Sequence, residues 1–243
     1  MELNNENYQE YIRKYGFKQF CEILKLCELR NSNSHLTALH LCGNNNIDDK
    51  GIEYIAEALK TNKFLIHLDL SANNIGDKGT EYIAEAFKVN KFLITLYLYG
   101  NNIGCKGAEY IAKLIKFNKF LVTLDLCYNN IGDKGVEYIA KSLKTNKSLT
   151  TLNLCSNNIN EKGAEYIIDA LKFSSSRLIN LYLYKNNIND RKIKNINQLL
   201  KSNKINREKI KNERVEEKIY FVAITHGLHW QFQFLEVFDE FIY

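Results

Sequence analysis

A repeat of 28 residues is the feature of this sequence that most constrains its fold. Glycines recur at this spacing, and tyrosines recur three positions after them. The glycines are Gly51, Gly79, Gly107, Gly135 and Gly163, and the tyrosines are Tyr54, Tyr82, Tyr110, Tyr138 and Tyr166. One unit, from Leu65 to Phe92, reads LIHLDLSANNIGDKGTEYIAEAFKVNKF. Self-similarity at a fixed period of this length predicts a stack of similar structural units.

Each unit predicts a short strand followed by a helix. Leu68 and Leu70 alternate with polar residues, which is typical of a strand with one buried face. Ile83, Ala84 and Phe87 then form a single apolar stripe at helical spacing. One strand and one helix cannot bury their apolar faces alone, so the units are expected to stack on their neighbours. The strands would then be parallel along one face, with the helices along the other.

The pattern LxxLxLxxNxI…G…IAxxF resembles the leucine-rich repeat in its ribonuclease-inhibitor-like form. The resemblance covers Leu36 to about Lys204, with five clear copies and a sixth in which Lys192 replaces the glycine. It implies an α/β fold, a leucine-rich-repeat solenoid in a curved horseshoe arc. In that fold a parallel β-sheet forms the concave face and α-helices form the convex face.

Three parts make up the predicted organisation. Residues 1–35 are expected to form an N-terminal helical cap and half-repeat, and residues 205–243 a C-terminal helical cap or tail. Six repeats lie between them, with predicted bounds 36–64, 65–92, 93–120, 121–148, 149–177 and 178–204. The tail has an apolar stripe with acids opposite, so it is expected to cover the open end of the core. A partner-docking or dimerising helix is the alternative.

The totals favour a soluble, folded, cytoplasmic protein. Hydrophobic residues make up 45% and charged residues 25% of the chain, and the net charge of +5 is too mild to indicate a nucleic-acid partner. No apolar run reaches the roughly 18 residues of a membrane span, and the polar start MELNNEN does not resemble a signal peptide. The six cysteines form no CxxC pair, which favours a reducing compartment. Export into a host cell without a signal peptide stays open as an alternative, and a monomer is expected.

One asparagine follows each predicted strand. Because an amide both donates and accepts, it can pair the backbone groups of a buried turn, and the family resemblance implies that it links one coil to the next. The residues in this position are Asn73, Asn101, Asn129, Asn157 and Asn186. The acids Asp77, Asp133 and Glu161 in the same loop are expected to cap the helix that each one precedes. Cys105 replaces the acid in one copy, which favours a scaffold role over a ligand-binding loop.

The positions that differ between copies are the solvent-facing ones on the strands, and they predict a partner-binding surface on the concave face. Its predicted members are His40, His67, Asp69, Tyr97, Tyr99, Asp125, Tyr128, Asn153, Tyr182 and Tyr184. Tyrosine offers a large contact area with little conformational entropy to lose, and it recurs at binding hot spots. The alternative is that these tyrosines merely suit a pleated sheet.

Two more specific hypotheses concern a zinc site and a disulfide bond. His40, Cys42, His67 and Asp69 are residue types that bind zinc, but parallel side chains on in-register strands suit a tetrahedron poorly. We therefore predict a polar patch, with no metal site. Adjacent strands should also bring Cys127 and Cys155 side by side, and we predict free thiols there because a disulfide between parallel side chains would be strained.

The resemblance implies a non-enzymatic protein-protein interaction module that uses no cofactor and has no catalytic residues. A partner protein would bind the concave sheet. Relatives of this repeat type include ribonuclease inhibitors and GTPase activators. An inhibitor of basic ribonucleases would be acidic and rich in cysteine, whereas this chain has a net charge of +5 and six cysteines. The alternative function is therefore regulation of a small GTPase.

Overall fold

The computed structural model describes residues 17, 21, 36–43, 47–173, 177–205 and 208. The chain divides into two compact units, Met1–Lys204 and Ile205–Tyr243. The predicted N-terminal cap at 1–35 and C-terminal cap or tail at 205–243 lie outside the described residues, apart from Phe17, Cys21, Ile205 and Glu208. Both caps and the bounds of the repeats therefore stay predictions.

Six short strands alternate with helices in the first unit. The strands are β1 (Ala38–His40), β2 (His67–Asp69), β3 (Thr95–Tyr97), β4 (Thr123–Asp125), β5 (Thr151–Asn153) and β6 (Asn180–Tyr182). The helices are α1 (Asp49–Thr61), α2 (Asp77–Phe87), α3 (Cys105–Phe117), α4 (Gly132–Leu143) and α5 (Glu161–Leu171). Residues 190–204 are helical as well.

The strands form one parallel sheet whose spatial order is the chain order. Each pair is in register, so that the same position of every unit lies in one row across the sheet. Parallel strands lie about 4.8 Å apart, whereas packed helices need about 8–10 Å, so the stack must bend with the sheet on its inner side. The α/β solenoid that the repeat predicted is confirmed.

One continuous core lies between the sheet and the helices. In the second repeat Leu68, Leu70, Ile75 and Ile83 are completely buried, and the equivalent residues of the other repeats join them in the core. The recurring glycine permits the close approach of helix and preceding loop that this core requires. A Cβ atom at Gly107 would lie 2.6 Å from Asp77 Oδ1 and 2.7 Å from Ile103 Cγ2, which no side chain could tolerate without a shift.

The asparagine after each strand connects two coils by hydrogen bonds. Asn129 Oδ1 accepts from the backbone N–H of Ile103 at 3.0 Å. Its Nδ2 donates to the carbonyl oxygens of Leu98, in the preceding coil, and Leu126, in its own coil, both at 3.0 Å. The same pattern of bonds to the preceding coil occurs at Asn73, Asn101, Asn157 and Asn186.

A second ladder of asparagines, which the sequence analysis missed, follows the helices. Asn118 Nδ2 donates to the carbonyl oxygen of Phe87 at 3.1 Å, and its Oδ1 accepts from the N–H of Leu121 at 2.8 Å. The same position is held by Asn62, Asn90 and Asn146, which are also buried. The signal was present in the sequence, because each of these asparagines precedes a lysine at the repeat spacing.

The acids of the repeated loop do not cap the helices that they begin, and that prediction was wrong. The N-cap of α2 is Gly76, and α2 has no side-chain cap. Asp77 Oδ1 instead accepts from the N–H groups of Gly104 and Gly107, both at 2.8 Å, at the start of α3 in the next coil. The acid lies in the first turn of its own helix, and from there it reaches the free N–H groups of its neighbour. Asp133 makes the same two bonds, with the N–H groups of Asn160 and Gly163. Asp49 and Glu161 each accept from one N–H of the next coil, that of Gly76 and that of Asn189.

Cys105 interrupts this ladder of acids between the third and fourth coils. Without a carboxylate at position 105, the N–H of Gly132 donates to the carbonyl oxygen of Asn157 at 2.9 Å. Gly132 has a φ of +63°, whereas Gly76 and Gly104 have φ values of −99° and −98° in the same loop position. Loss of the acid therefore changes the backbone at this joint, and a glycine accommodates the change.

Candidate functional site

The register assembles the central row of the predicted surface. Its members lie on six consecutive strands and face the concave side in the order His40, Asp69, Tyr97, Asp125, Asn153 and Tyr182. His67 belongs to the parallel row two residues earlier, beside Ala38 and Thr95. Tyr99, Tyr128 and Tyr184 follow the strands at their carboxyl ends.

The end of the row near β1 is polar. His40 Nδ1 lies 3.8 Å from Asp69 Oδ2, and Asp69 Oδ1 accepts from the N–H of Ser71 at 2.9 Å. The imidazole of His40 is largely exposed. Its contact with Asp69 is an ion pair only when the histidine is protonated. Across the part of the chain that the structure describes, no three His, Cys, Asp or Glu side chains come together as metal ligands would.

Hydrogen bonds fix the polar side chains on β4 and β5. Asn153 Nδ2 donates to Asp125 Oδ2 at 3.0 Å, and Asp125 Oδ1 accepts from the N–H of Cys127 at 2.8 Å. Asn153 Oδ1 accepts from the N–H of Cys155 at 3.1 Å. These carboxylate and amide groups are held in one orientation, so they can present acceptors to a partner without a further loss of side-chain entropy.

Five tyrosines present most of the aromatic area of this face, and we call them the tyrosine surface. Their exposed fractions are 36% for Tyr97, 40% for Tyr99, 45% for Tyr128, 52% for Tyr182 and 74% for Tyr184. The rings of Tyr99 and Tyr128 meet edge to face, with centroids 5.3 Å apart and an interplanar angle of 68°. That arrangement is favourable for the ring quadrupoles and holds both rings in place.

Lys185 joins the tyrosine surface through Tyr128. Its Nζ donates to the hydroxyl of Tyr128 at 2.9 Å, and it lies 5.6 Å and 5.8 Å from the ring centroids of Tyr128 and Tyr184. The hydrogen bond from this ammonium lowers the pKa of Tyr128 and raises the pKa of Lys185. The two residues are 57 positions apart, so no local pattern in the sequence could have predicted their contact.

The backbone is left-handed at Tyr128 and Lys185. One position in each coil, directly before the ladder asparagine, has a positive φ between 50° and 77°. Its occupants are Gly43, Ala72, Gly100, Tyr128, Ser156 and Lys185. Glycine adopts this conformation freely, whereas a bulky side chain is strained there by about 1–3 kcal/mol. Tyr128 and Lys185 are therefore held in place against a local preference for glycine.

Two residues in the rows of the concave face are buried. Thr95 is 6% exposed and Cys127 is 7% exposed. Cys127 is a short side chain that lies in one row between Tyr99 and Cys155. Burial, together with the nearby Cys155 and Asp125, raises the pKa of the Cys127 thiol to about 11. Cys127 and Cys155 are both free thiols.

Comparison with protein families agrees with the period of the chain. The profile of a family described as "Leucine Rich repeat" matches residues 32–56, 61–84, 89–112, 117–140 and 145–167. This chain is a leucine-rich repeat protein. The repeat makes it a protein-interaction module, while the ribonuclease-inhibitor-like subtype stays a prediction. A search of curated proteins returned no match.

Two solved structures resemble the fold of this leucine-rich repeat protein. "Leiomodin-1 Actin-Binding Site 2 (ABS2)" aligns with a TM-score of 0.52 and 21% identity, over 82% of this chain and 94% of that chain. The tropomodulin C-terminal domain of Caenorhabditis elegans aligns with a TM-score of 0.51 and 13% identity, over 81% of this chain and 98% of that chain. At these identities the likeness concerns the fold alone. None of the helices described here combines the length and apolarity that crossing a membrane requires.

Proposed function

We propose that this leucine-rich repeat protein binds a partner protein through its concave sheet and carries out no catalysis. The proposed contact residues are His40, His67, Asp69, Tyr97, Tyr99, Asp125, Tyr128, Asn153, Tyr182 and Tyr184, to which we add Lys185. Exposed tyrosines in a fixed arrangement, bordered by oriented polar groups, have the composition of a binding hot spot with a polar rim.

The observation that carries the proposal is the strain at Tyr128 and Lys185. Both residues are bulky, and they occupy a left-handed position that the other coils fill with glycine or a short side chain: Gly43, Ala72, Gly100 and Ser156. A fold selected only for stability would favour glycine there, because the strain is absent in glycine. We infer that the Tyr128 ring and the Lys185 ammonium are retained for contact with a partner.

The repeat itself supplies variants that keep the fold. Ser71 occupies the position of Tyr99 one coil earlier, and Gly100 likewise occupies the position of Tyr128 one coil earlier. Tyr99→Ser with Tyr128→Gly therefore removes the two rings while introducing residues that the solenoid already tolerates. Phe173→Ser, which removes an exposed ring outside the tyrosine surface, is the matched control.

Actin is the first defined partner to test, because a similar solved fold is named as an actin-binding site. Co-sedimentation with filaments and anisotropy with labelled monomers would measure binding by the full chain. Quantitative affinity capture from cytosol, with mass spectrometry, covers other partners. We expect a partner that the Phe173→Ser protein retains and the double variant loses by about tenfold or more. Identical capture by all three proteins would refute the concave site.

Regulation of a small GTPase is the alternative function. A panel of purified small GTPases would be assayed for nucleotide hydrolysis with and without the protein. Faster hydrolysis that survives Tyr99→Ser with Tyr128→Gly would favour this alternative and a different surface. Faster hydrolysis that the double variant abolishes would instead identify the GTPase as the partner of the tyrosine surface.

A further inference from the structure

A row of lysines and phenylalanines lies along the opposite edge of the sheet, where the strands begin. In successive coils the residues between each helix and the following strand read NKFLI, NKFLI, NKFLV and NKSLT. We call Lys91, Phe92, Ile94, Lys119, Phe120 and Lys147 the basic edge. Phe92, Ile94 and Phe120 are 41%, 40% and 43% exposed, an unusual amount of apolar surface for positions that repeat at adjacent coils.

These apolar side chains border a groove of about 450 Å³. Its walls include Thr37, Phe64, Ile66, Phe92, Ile94 and Phe120, which come from the first coils of the repeat. The groove runs across the coils, because each coil contributes the same positions to it. A recess of this volume can accept individual apolar side chains, in the way that grooves accept the apolar face of a helix.

The lysines of the basic edge differ from those of the convex helices. On helices α1 to α4 the lysine of the first turn pairs with a glutamate three residues later, as in Lys78–Glu81 at 2.7 Å and Lys134–Glu137 at 2.9 Å. Lys91, Lys119 and Lys147 are exposed, and none of the ion pairs found between described residues involves them. The basic edge therefore carries positive charge that acids of the described chain do not neutralise.

We propose that the basic edge is a second docking surface, for an acidic amphipathic helix of a partner protein. Adjacent coils repeat about every 4.8 Å at the sheet, which is close to the 5.4 Å pitch of an α-helix. A helix lying across the coils can thus present one side chain per turn to each coil. Apolar residues at i, i+4 and i+7 would enter the groove, and glutamates on either side would meet the lysines.

Docking of such a helix also accounts for the coil at which the row of phenylalanines ends. The fourth coil keeps Lys147 but has Ser148 and Thr150 where the earlier coils have phenylalanine and a β-branched aliphatic residue. The apolar contact would then extend over three coils, about two turns of a helix, with charge continuing one coil further. An anionic membrane also attracts lysine and phenylalanine, but a recessed groove suits protruding side chains better than a planar surface.

The test uses the full chain and a labelled synthetic helix of about 18 residues, with leucines at i, i+4 and i+7 and glutamates beside them. A second peptide replaces each glutamate with lysine. Fluorescence anisotropy should show binding of the acidic peptide, weaker binding as salt rises, and about tenfold or greater preference over the basic peptide. Vesicles of pure phosphatidylcholine, and vesicles that also contain phosphatidylserine, form the membrane arm.

Two double variants separate the charge from the apolar contribution. Lys91→Glu with Lys119→Glu and Phe92→Ser with Phe120→Ser should each weaken peptide binding by about tenfold, and serine already occupies this position at Ser148. Lys162→Glu, an exposed lysine of α5, and Tyr99→Ser, on the tyrosine surface, should leave it unchanged. Equal binding of both peptides, no binding of the acidic one, or no effect of either double variant would overturn the proposal. Binding to phosphatidylserine vesicles in place of the peptide would overturn it in favour of a membrane surface.

Discussion

Removal of the carboxylate of Asp77 tests whether acids hold neighbouring coils together. In the structure its Oδ1 accepts two backbone N–H groups of the next coil, from Gly104 and Gly107, both at 2.8 Å. Asp77→Ala leaves both donors without this acceptor. Hydrogen bonds to charged groups contribute about 1.5–3 kcal/mol, and loss of a helix cap costs about 0.5–2 kcal/mol. Since Asp77 is half-buried and water can reach part of the site, we expect a loss of about 2 kcal/mol.

Urea unfolding followed by far-UV circular dichroism measures this loss. The midpoint should fall with an unchanged slope, and the melting temperature should drop by about 4–8 °C for a domain of this size. Asp169→Ala is the matched control, because its carboxylate is exposed and pairs, among the described residues, with two lysines at the surface, 3.5 Å from Lys172 and 4.0 Å from Lys144. Such surface pairs contribute about 0–1 kcal/mol. Equal losses for the two alanine variants would refute the role assigned to Asp77.

The same reasoning predicts a gain at the joint where the acid is missing. Cys105→Asp supplies a carboxylate for the N–H groups of Gly132 and Gly135, as Asp77 does one coil earlier. Gly132 must then move from its φ of +63° to the extended value that Gly104 has, and a glycine can do so at little cost. We expect stabilisation of about 1 kcal/mol. A destabilised Cys105→Asp protein would mean that the bond from Gly132 to Asn157 fixes this joint instead.

Three further predictions concern single side chains. Asn129→Ala should cost about 1–3 kcal/mol in urea unfolding, because it leaves buried backbone groups of two coils unpaired; an unchanged midpoint would contradict this. Two flanking lysines lower the pKa of Glu137 from 4.5 to about 2, so its stabilisation is complete above about pH 4.5 and disappears as pH falls towards 2. Midpoints measured across that range should therefore fall less for Glu137→Gln than for the parent. Lys185→Met should raise the pKa of Tyr128, observed by NMR of labelled tyrosine, and an unmoved titration would mean that their hydrogen bond is absent in solution.

Because of the repeat, the scaffold could be predicted from the sequence. Because the central coils have the same length, equal positions such as Thr95, Thr123 and Thr151 must pair across the sheet, and the structure pairs them. The face of each side chain then follows from the strand alternation. A recurrent polar residue in a buried turn, such as Asn129, must find backbone partners, and its bonds follow from that requirement.

Contacts between coils were harder to predict than features within one coil. An acid at the start of a helix satisfies the pattern for capping its own helix, so the sequence of one unit cannot show that Asp77 reaches across to Gly104. The contact between Tyr128 and Lys185 depends on the left-handed backbone at both positions, where the residue types give no turn signal.

The joint of the described solenoid that lacks a link from an acid lies beside the tyrosine surface. Tyr99 belongs to the third coil and Tyr128 to the fourth, and their rings meet across the same joint at which Cys105 replaces the acid. The ring contact therefore crosses the joint at which the link from an acid is missing, and the hydrogen bond from Lys185 holds Tyr128 from the side of the sixth coil.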